Sequence, residues 1–252
     1  MLQRTWPITL LGLCLFFNFS CGGGDSAKPA RQPTPLDLST TGTIAGVVHF
    51  EGPVPDQTTV QLSGWSECAA QHPEGNPKAG DVLVADGKLQ NALVYIKEGL
   101  GDRVFAIPTT PVELDQKGCV FLPRILGVQT DQDLKMLNSD PLAHNVHGLP
   151  KRSSSWNFSL GVKGASRTTS VAKPETMIEI KCDIHPWMRA YLGVFEHPYF
   201  MLSGADGRFT LKNVPPGQYI VEAWHERFGM QTQKITVGTK KTKEIAFTFK
   251  AS

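Results

Sequence analysis

The chain of 252 residues has little net charge: 25 Lys and Arg stand against 23 Asp and Glu, a formal +2. So small an excess does not hold a polyanion, and no basic run interleaved with aromatics appears, so no nucleic acid partner is expected. Helical periodicity is missing from every window of about ten residues, which leaves strands as the building element and predicts an all-β fold. Beyond residue 21 no apolar run is long enough for a bilayer, so membrane contact is expected through an anchor alone. Cysteine is scarce, with five in the chain, and no nucleophile-elbow motif is present.

What is present begins with an export signal. Arg4 is the only charge before an apolar run from Ile8 to Phe19, too short for a comfortable membrane span. Ser20, Cys21 and three glycines follow, and this resembles a bacterial lipoprotein signal, in which the cysteine is acylated and becomes the new N-terminus. Asn18 departs from that pattern, which usually has Leu there; a signal peptide cut elsewhere is the alternative. Residues 1–21 are therefore read as signal and residues 22–41, rich in Gly, Pro, Ser and Thr, as a solvated tether. The expected location is the periplasm or the outer membrane of a bacterium, with Cys21 as the lipid anchor.

The chain is organised around Lys181–Tyr191, K-C-D-I-H-P-W-M-R-A-Y. Cys182, His185 and Met188 recur every third position, and a strand ending in a tight loop can aim all three at one point. Thiolate, imidazole and thioether, joined by a second imidazole, are the ligands of a blue-copper centre. Upstream, N-S-D-P-L-A-H-N-V-H (138–147) offers His144 for the fourth position; His147, three residues on, faces the other side of a strand. Zinc accepts the same His and Cys ligands but gains little from Met. Buried packing is the bland alternative for Cys and Met.

A-H-N-V-H followed some forty residues later by C-x-x-H-P-aromatic-M resembles the cupredoxins, the short loop most of all amicyanin, over residues 111–196. The resemblance implies one type 1 copper ion held by His144, Cys182, His185 and Met188. It further implies that Asn138 ties the His-bearing strand to the backbone beside the Cys, a plain turn Asn being the alternative. Asp183 stands where many cupredoxins have Ser or Thr, and either biases the centre toward Cu(II) or points to water. His185, on the loop, is expected to be the more exposed ligand, with Pro186 and Trp187 as an apolar collar where a redox partner protein docks transiently.

If Cys182 is a copper thiolate, Cys68 and Cys119 are the only pair left for a disulfide in an oxidising compartment; a second metal site on Cys68 and His72 is the rival. Gly64–Gly80 has too many turn formers for a strand and reads as a long loop or short helical turn held by Cys68.

Two further stretches bracket the copper segment. S-G-A-D-G-R-F-T-L-K-N-V-P-P-G-Q-Y-I-V-E-A-W-H-E resembles carboxypeptidase regulatory-like, transthyretin-like β-sandwiches, and Gly42–Val48 has the G-x-I-x-G-x-V form with which that family begins. Asp206-Gly207 and Pro215-Pro216-Gly217 are turns, and Phe209, Leu211, Tyr219 and Val221 alternate inward. The expectation is a cupredoxin Greek-key sandwich (111–196) inserted in a second sandwich built from 42–110 and 197–252, with tandem domains as the alternative. His49, His197 and His225 are read as structural.

The function expected is exported one-electron transfer. Copper storage or delivery, or a cell-surface structural sandwich with a vestigial metal loop, are the alternatives. No enzyme is expected, because copper oxidases and nitrite-reducing relatives need additional His-rich centres, typically H-x-H pairs, and none of the seven histidines forms one.

Overall fold

The structure is a computed structural model that describes residues 1–2 and 32–251. The signal, the lipidation expected at Cys21 and the tether up to residue 31 lie outside the described residues. No helix among the described residues is long and apolar enough to cross a membrane.

From Gly42 the chain is all-β apart from one helical turn. It makes β1 (Gly42–Glu51), α1 (Ser66–Ala69), β2 (Val84–Ala85), β3 (Lys88–Leu89) and β4 (Leu93–Glu98). Next come β5 (Val112–Gln116), β6 (Phe121–Leu122), β7 (Ile125–Gln129), β8 (Leu134–Asn138) and β9 (His144–Leu149). β10 (Trp156–Leu160), β11 (Ser166–Thr169), β12 (Glu175–Lys181) and β13 (Arg189–Phe195) complete the middle. The chain ends with β14 (Phe200–Leu202), β15 (Arg208–Val214), β16 (Gly217–His225), β17 (Gly229–Val237) and β18 (Thr242–Lys250).

Four sheets form two sandwiches. In the first, β1 is central: it runs antiparallel to β15 and β3 and parallel to β18, over nine residue pairs from Thr43↔Thr242 to Glu51↔Lys250. The facing sheet has the order β14-β4-β16-β17. Alternation in β1 sends Ile44, Val48 and Phe50 into the space between them, where Phe209, Leu211, Tyr219, Val221, Phe247 and Phe249 meet them. The hairpin signal at Asp86-Gly87 becomes the β2–β3 turn, with φ of 50° and 68°, the left-handed pair a two-residue hairpin turn requires. The chain thus leaves this sandwich after β4 and returns to it at β14. Residues 42–50 thus pair with the C-terminal strands β15 and β18.

Between those points lie the sheets β10-β9-β12-β13-β7 and β11-β8-β5-β6, packed over Leu114, Leu134, Met136, Val146, Ile178, Ile180 and Leu192. β6 and β7 are separate strands because the chain crosses there from one sheet to the other, β6 pairing with β5 and β7 with β13. A smaller apolar cluster, Leu93, Tyr95, Ile125 and Phe195, joins the two sandwiches, and the Arg124 guanidinium reaches across to both oxygens of Glu226.

His225 is part of the first sandwich's core, 2% exposed and stacked on Phe228 at 4.7 Å between centroids. Burial pulls its pKa down to about 4, and burial does the same to His197. The unfolded chain titrates these rings near 6.5, so it binds more protons between the two values. Stability is therefore complete above about pH 6.5 and falls toward pH 4, by up to about 3 kcal/mol for His225. We expect the urea midpoint to drop across that window and His225→Phe to flatten the slope. A wild-type profile without slope would contradict the assignment.

Candidate metal centre

β12 and β9 pair side by side, Lys181 opposite His147, so the end of one strand and the start of the other lie together. Cys182 follows β12 directly and Met188 immediately precedes β13. The backbone closes the loop between them: Met188 N–H donates to the His185 carbonyl at 3.0 Å, and Cys182 N–H to the Met188 carbonyl at 3.2 Å. This tight turn points His185 back over the cysteine and toward His144, the first residue of β9.

The convergence is at the level of atoms. His144 Nδ1 lies 2.9 Å from His185 Nδ1, and Cys182 Sγ lies 3.7 Å from His185 Nδ1. One ligand atom from each of the three residues falls within 4.8 Å of the others, and all three are buried. Both distances are spans open to two atoms that each lie about 2.0–2.3 Å from one ion. Met188, 1% exposed, is buried in the same apolar cluster as Cys182. A thiol, two imidazole nitrogens and a thioether on one loop and one neighbouring strand fit the donor preferences of copper.

A buried carboxylate orients the site, and the sequence reading did not single it out. Asp140 Oδ2 accepts from His144 Nε2 at 2.9 Å, and the same carboxylate accepts the N–H groups of Gly118 and Cys119 at 2.6 and 2.8 Å. Burial opposes its charge, but the His144 bond and those two N–H donors hold its pKa below the usual value. With Nε2 committed to Asp140, Nδ1 of His144 is left to face the other ligand atoms, as metal-binding histidines generally require. Burial also works against a charged His144 and a charged Cys182. Asp140 and the Cys182 sulfur nevertheless push the His144 pKa up, and hydrogen bonds from His144, His185 and the backbone pull that of Cys182 down. The site favours thiolate, the form that ligates metal.

The bond expected of Asn138 is made by Asn145 instead. Asn138 donates to the carbonyls of Leu142 and Leu160 and accepts from Asp140 N–H, so it braces the turn that carries Asp140. Asn145 Oδ1 accepts from Cys182 Sγ at 3.2 Å and from Asp183 N–H at 2.8 Å, which ties β9 to the cysteine. Its place next to His144 in H-N-V was the available signal.

Asp183 is held in a polar network by Lys181, His147, Asn145 and Asn157. The Lys181 bond and then that from His147 keep its pKa far below the ordinary carboxylate range. His147 is thereby turned away from the ligand cluster. His72 donates to or accepts from no ligand of the centre; its Nε2 lies 2.8 Å from the Gly118 carbonyl oxygen, and Cys68 is joined to Cys119 in a disulfide. Lys88 lies against His49, and His197 stacks on Tyr199.

The exposure expected of His185 is also overturned. His185 is 2% exposed, not the exposed ligand, because the Gly64–Gly80 segment folds over it. Trp65 packs on its ring at 4.9 Å and Trp187 at 5.3 Å. Trp187 is half-buried, its indole N–H donating to the Cys119 carbonyl, whereas Pro186 and Ile184 are exposed. The loop periodicity showed where His185 sits in its own turn but could not show what a segment over a hundred residues upstream lays on top.

A family model described as BOS complex subunit NOMO1-like, second beta sandwich domain, matches residues 199–248. Among solved structures, the chain is similar to a copper-containing nitrite reductase from Thermus scotoductus SA-01, with 21% identity and a TM-score of 0.33. That match covers 39% of this chain and 25% of the reductase, so the chain spans about a quarter of that protein's length. A purple cupredoxin from Nitrosopumilus maritimus matches with 15% identity and a TM-score of 0.29, over 33% of this chain and 98% of that one. An oxidised amicyanin variant matches with 16% identity and a TM-score of 0.31, over 40% of this chain and 97% of its own. No curated protein matches the chain.

Proposed function

We propose that this chain is an exported electron carrier that binds one type 1 copper ion through His144, Cys182, His185 and Met188. The observation that carries the reading is the meeting of Cys182 Sγ and one ring nitrogen each of His144 and His185 within 4.8 Å, in a buried pocket that favours thiolate. When bound there, copper supplies a one-electron couple. The protein's part is to fix the ligands so that little rearranges as the charge changes. Asp140 locks the His144 ring, Asn145 accepts the Asp183 N–H and so fixes the backbone beside Cys182, and the backbone bonds across 182–188 lock the loop. Apolar surroundings exclude water, so no substrate need bind and no bond need form. Electron transfer, not enzymatic turnover, is the chemistry such a site suits.

In this reading residues 111–196 are a cupredoxin inserted into a transthyretin-like sandwich of residues 42–110 and 197–252, which holds the redox module away from a lipid-anchored N-terminus. The partner is a redox protein that binds transiently; no nucleic acid is involved. The test is electrochemical: one equivalent of copper should bind and cycle reversibly between two oxidation states without leaving the protein. Copper that is released on each reduction would identify a delivery protein instead.

A further inference from the structure

The cap over His185 comes from outside the segment that carries the ligands. Trp65 directly precedes α1, whose Cys68 is bonded to Cys119, and Cys119 lies beside the centre: one atom each from Cys68, Cys119 and His185 fall within 4.8 Å of one another. The indole packs on His185 at 4.9 Å and edge-on against Trp187 at 5.3 Å. Two recesses border it. One of about 730 Å³ runs past Thr59, Trp65 and Trp187, and one of about 250 Å³ past Trp65, Leu142, Ile184 and His185. Trp65 lines both, and His185, 2% exposed beneath the indole, borders the smaller one.

We propose that Trp65 is a specificity-determining shield: it closes the imidazole of His185 to water and small redox reagents, so that electrons pass only to carriers that reach the indole. This rests on the copper reading for its purpose, though not for its geometry. Electron passage is balanced simply: a one-electron acceptor is reduced, the bound metal is oxidised by one unit, no bond forms, and the indole is unchanged. Truncating the ring joins the two recesses over His185 while leaving every ligand atom and Asp140 in place.

The first test needs no metal. Metal-free protein is treated with diethyl pyrocarbonate, and the modified histidines are read by mass spectrometry. A buried ring reacts only through local opening, so Trp65→Ala should raise the His185 rate by about tenfold or more. The rate at His147, whose side chain is 24% exposed, should stay unchanged. Buried His225 reports folding; if it also reacts, the result is taken from Trp65→Phe, where a rise of about threefold is expected. No rise at His185 in the folded variant overturns the proposal. The second test loads copper and follows oxidation of the reduced protein by hexacyanoferrate, which should quicken by about tenfold in Trp65→Ala with the visible spectrum retained. An unchanged or slower rate overturns the shield. A wild-type protein with no copper band overturns the copper reading and leaves the first test standing.

Discussion

Asp140→Ala should lower stability by about 3–5 kcal/mol, the range for removing one partner from a buried charged network. Three donors lose their acceptor at once: the ring Nε2 of His144 and the backbone N–H groups of Gly118 and Cys119. The carboxylate is 1% exposed, so water does not replace it without opening the turn. A backbone N–H left unpaired in a buried place costs on its own about 1–3 kcal/mol. Asp140→Asn keeps two acceptor lone pairs and should cost less. Asp140→Ala also frees the His144 ring to rotate or change tautomer, so metal affinity should fall about 10–100-fold, the usual penalty for losing an orienting partner. Urea denaturation of the metal-free protein and competition with a chelator of known affinity measure the two effects separately. A stable Asp140→Ala with wild-type affinity would show that His144 is held by something else.

Gly46→Ala should destabilise the chain by more than about 3 kcal/mol, the scale reserved for overpacking that the backbone cannot relieve. A Cβ there would overlap the Ile245 carbonyl oxygen and lie 2.8 Å from the Phe209 ring. Phe209 can turn, but the carbonyl belongs to β18, paired residue by residue with β1. Relief requires prising β1 from β18, which opens the core holding Ile44, Val48, Phe247 and Phe249. The substitution therefore tests whether residues 42–51 and the C-terminal strands form one core. A cost under about 1 kcal/mol in urea denaturation would mean that β1 is not seated there.

Much of this was legible from local pattern. The alternation of Gly42–Phe50, the Asp86-Gly87 turn and the inward series Phe209, Leu211, Tyr219, Val221 each state their own geometry, because period two and left-handed turns are properties of a few consecutive residues. The C-x-x-H-x-x-M spacing likewise states a single loop. Three things were not legible, each for a reason of distance. Asp140 lies in a quoted motif four residues before His144, but a carboxylate in a turn usually faces water, and only the packing of Gly118 and Cys119 against it makes it an internal acceptor. The cupredoxin resemblance points to Asn138, whereas it is the Asn145 side chain that reaches across from β9 to Cys182 and Asp183. Trp65 reads as one aromatic in a turn-rich stretch; its place on His185 depends on a contact 120 positions away in sequence.

These features share one electrostatic logic. The centre buries a carboxylate, two imidazoles and a thiol, which is costly unless each is paired. Asp140 is satisfied by His144 and two backbone donors, and Cys182 is contacted by Asn145 and His185. The two Nδ1 atoms that face each other are what a cation between them would use.

The measurement that bears most directly on the copper assignment is the visible absorption spectrum of the oxidised, copper-loaded protein beside that of Cys182→Ser. A thiolate bonded to copper in this ligand set absorbs intensely near the middle of the visible range, so the wild type should be coloured and the variant colourless at equal copper content. Stoichiometric copper in the oxidised wild type with no such band would contradict the account.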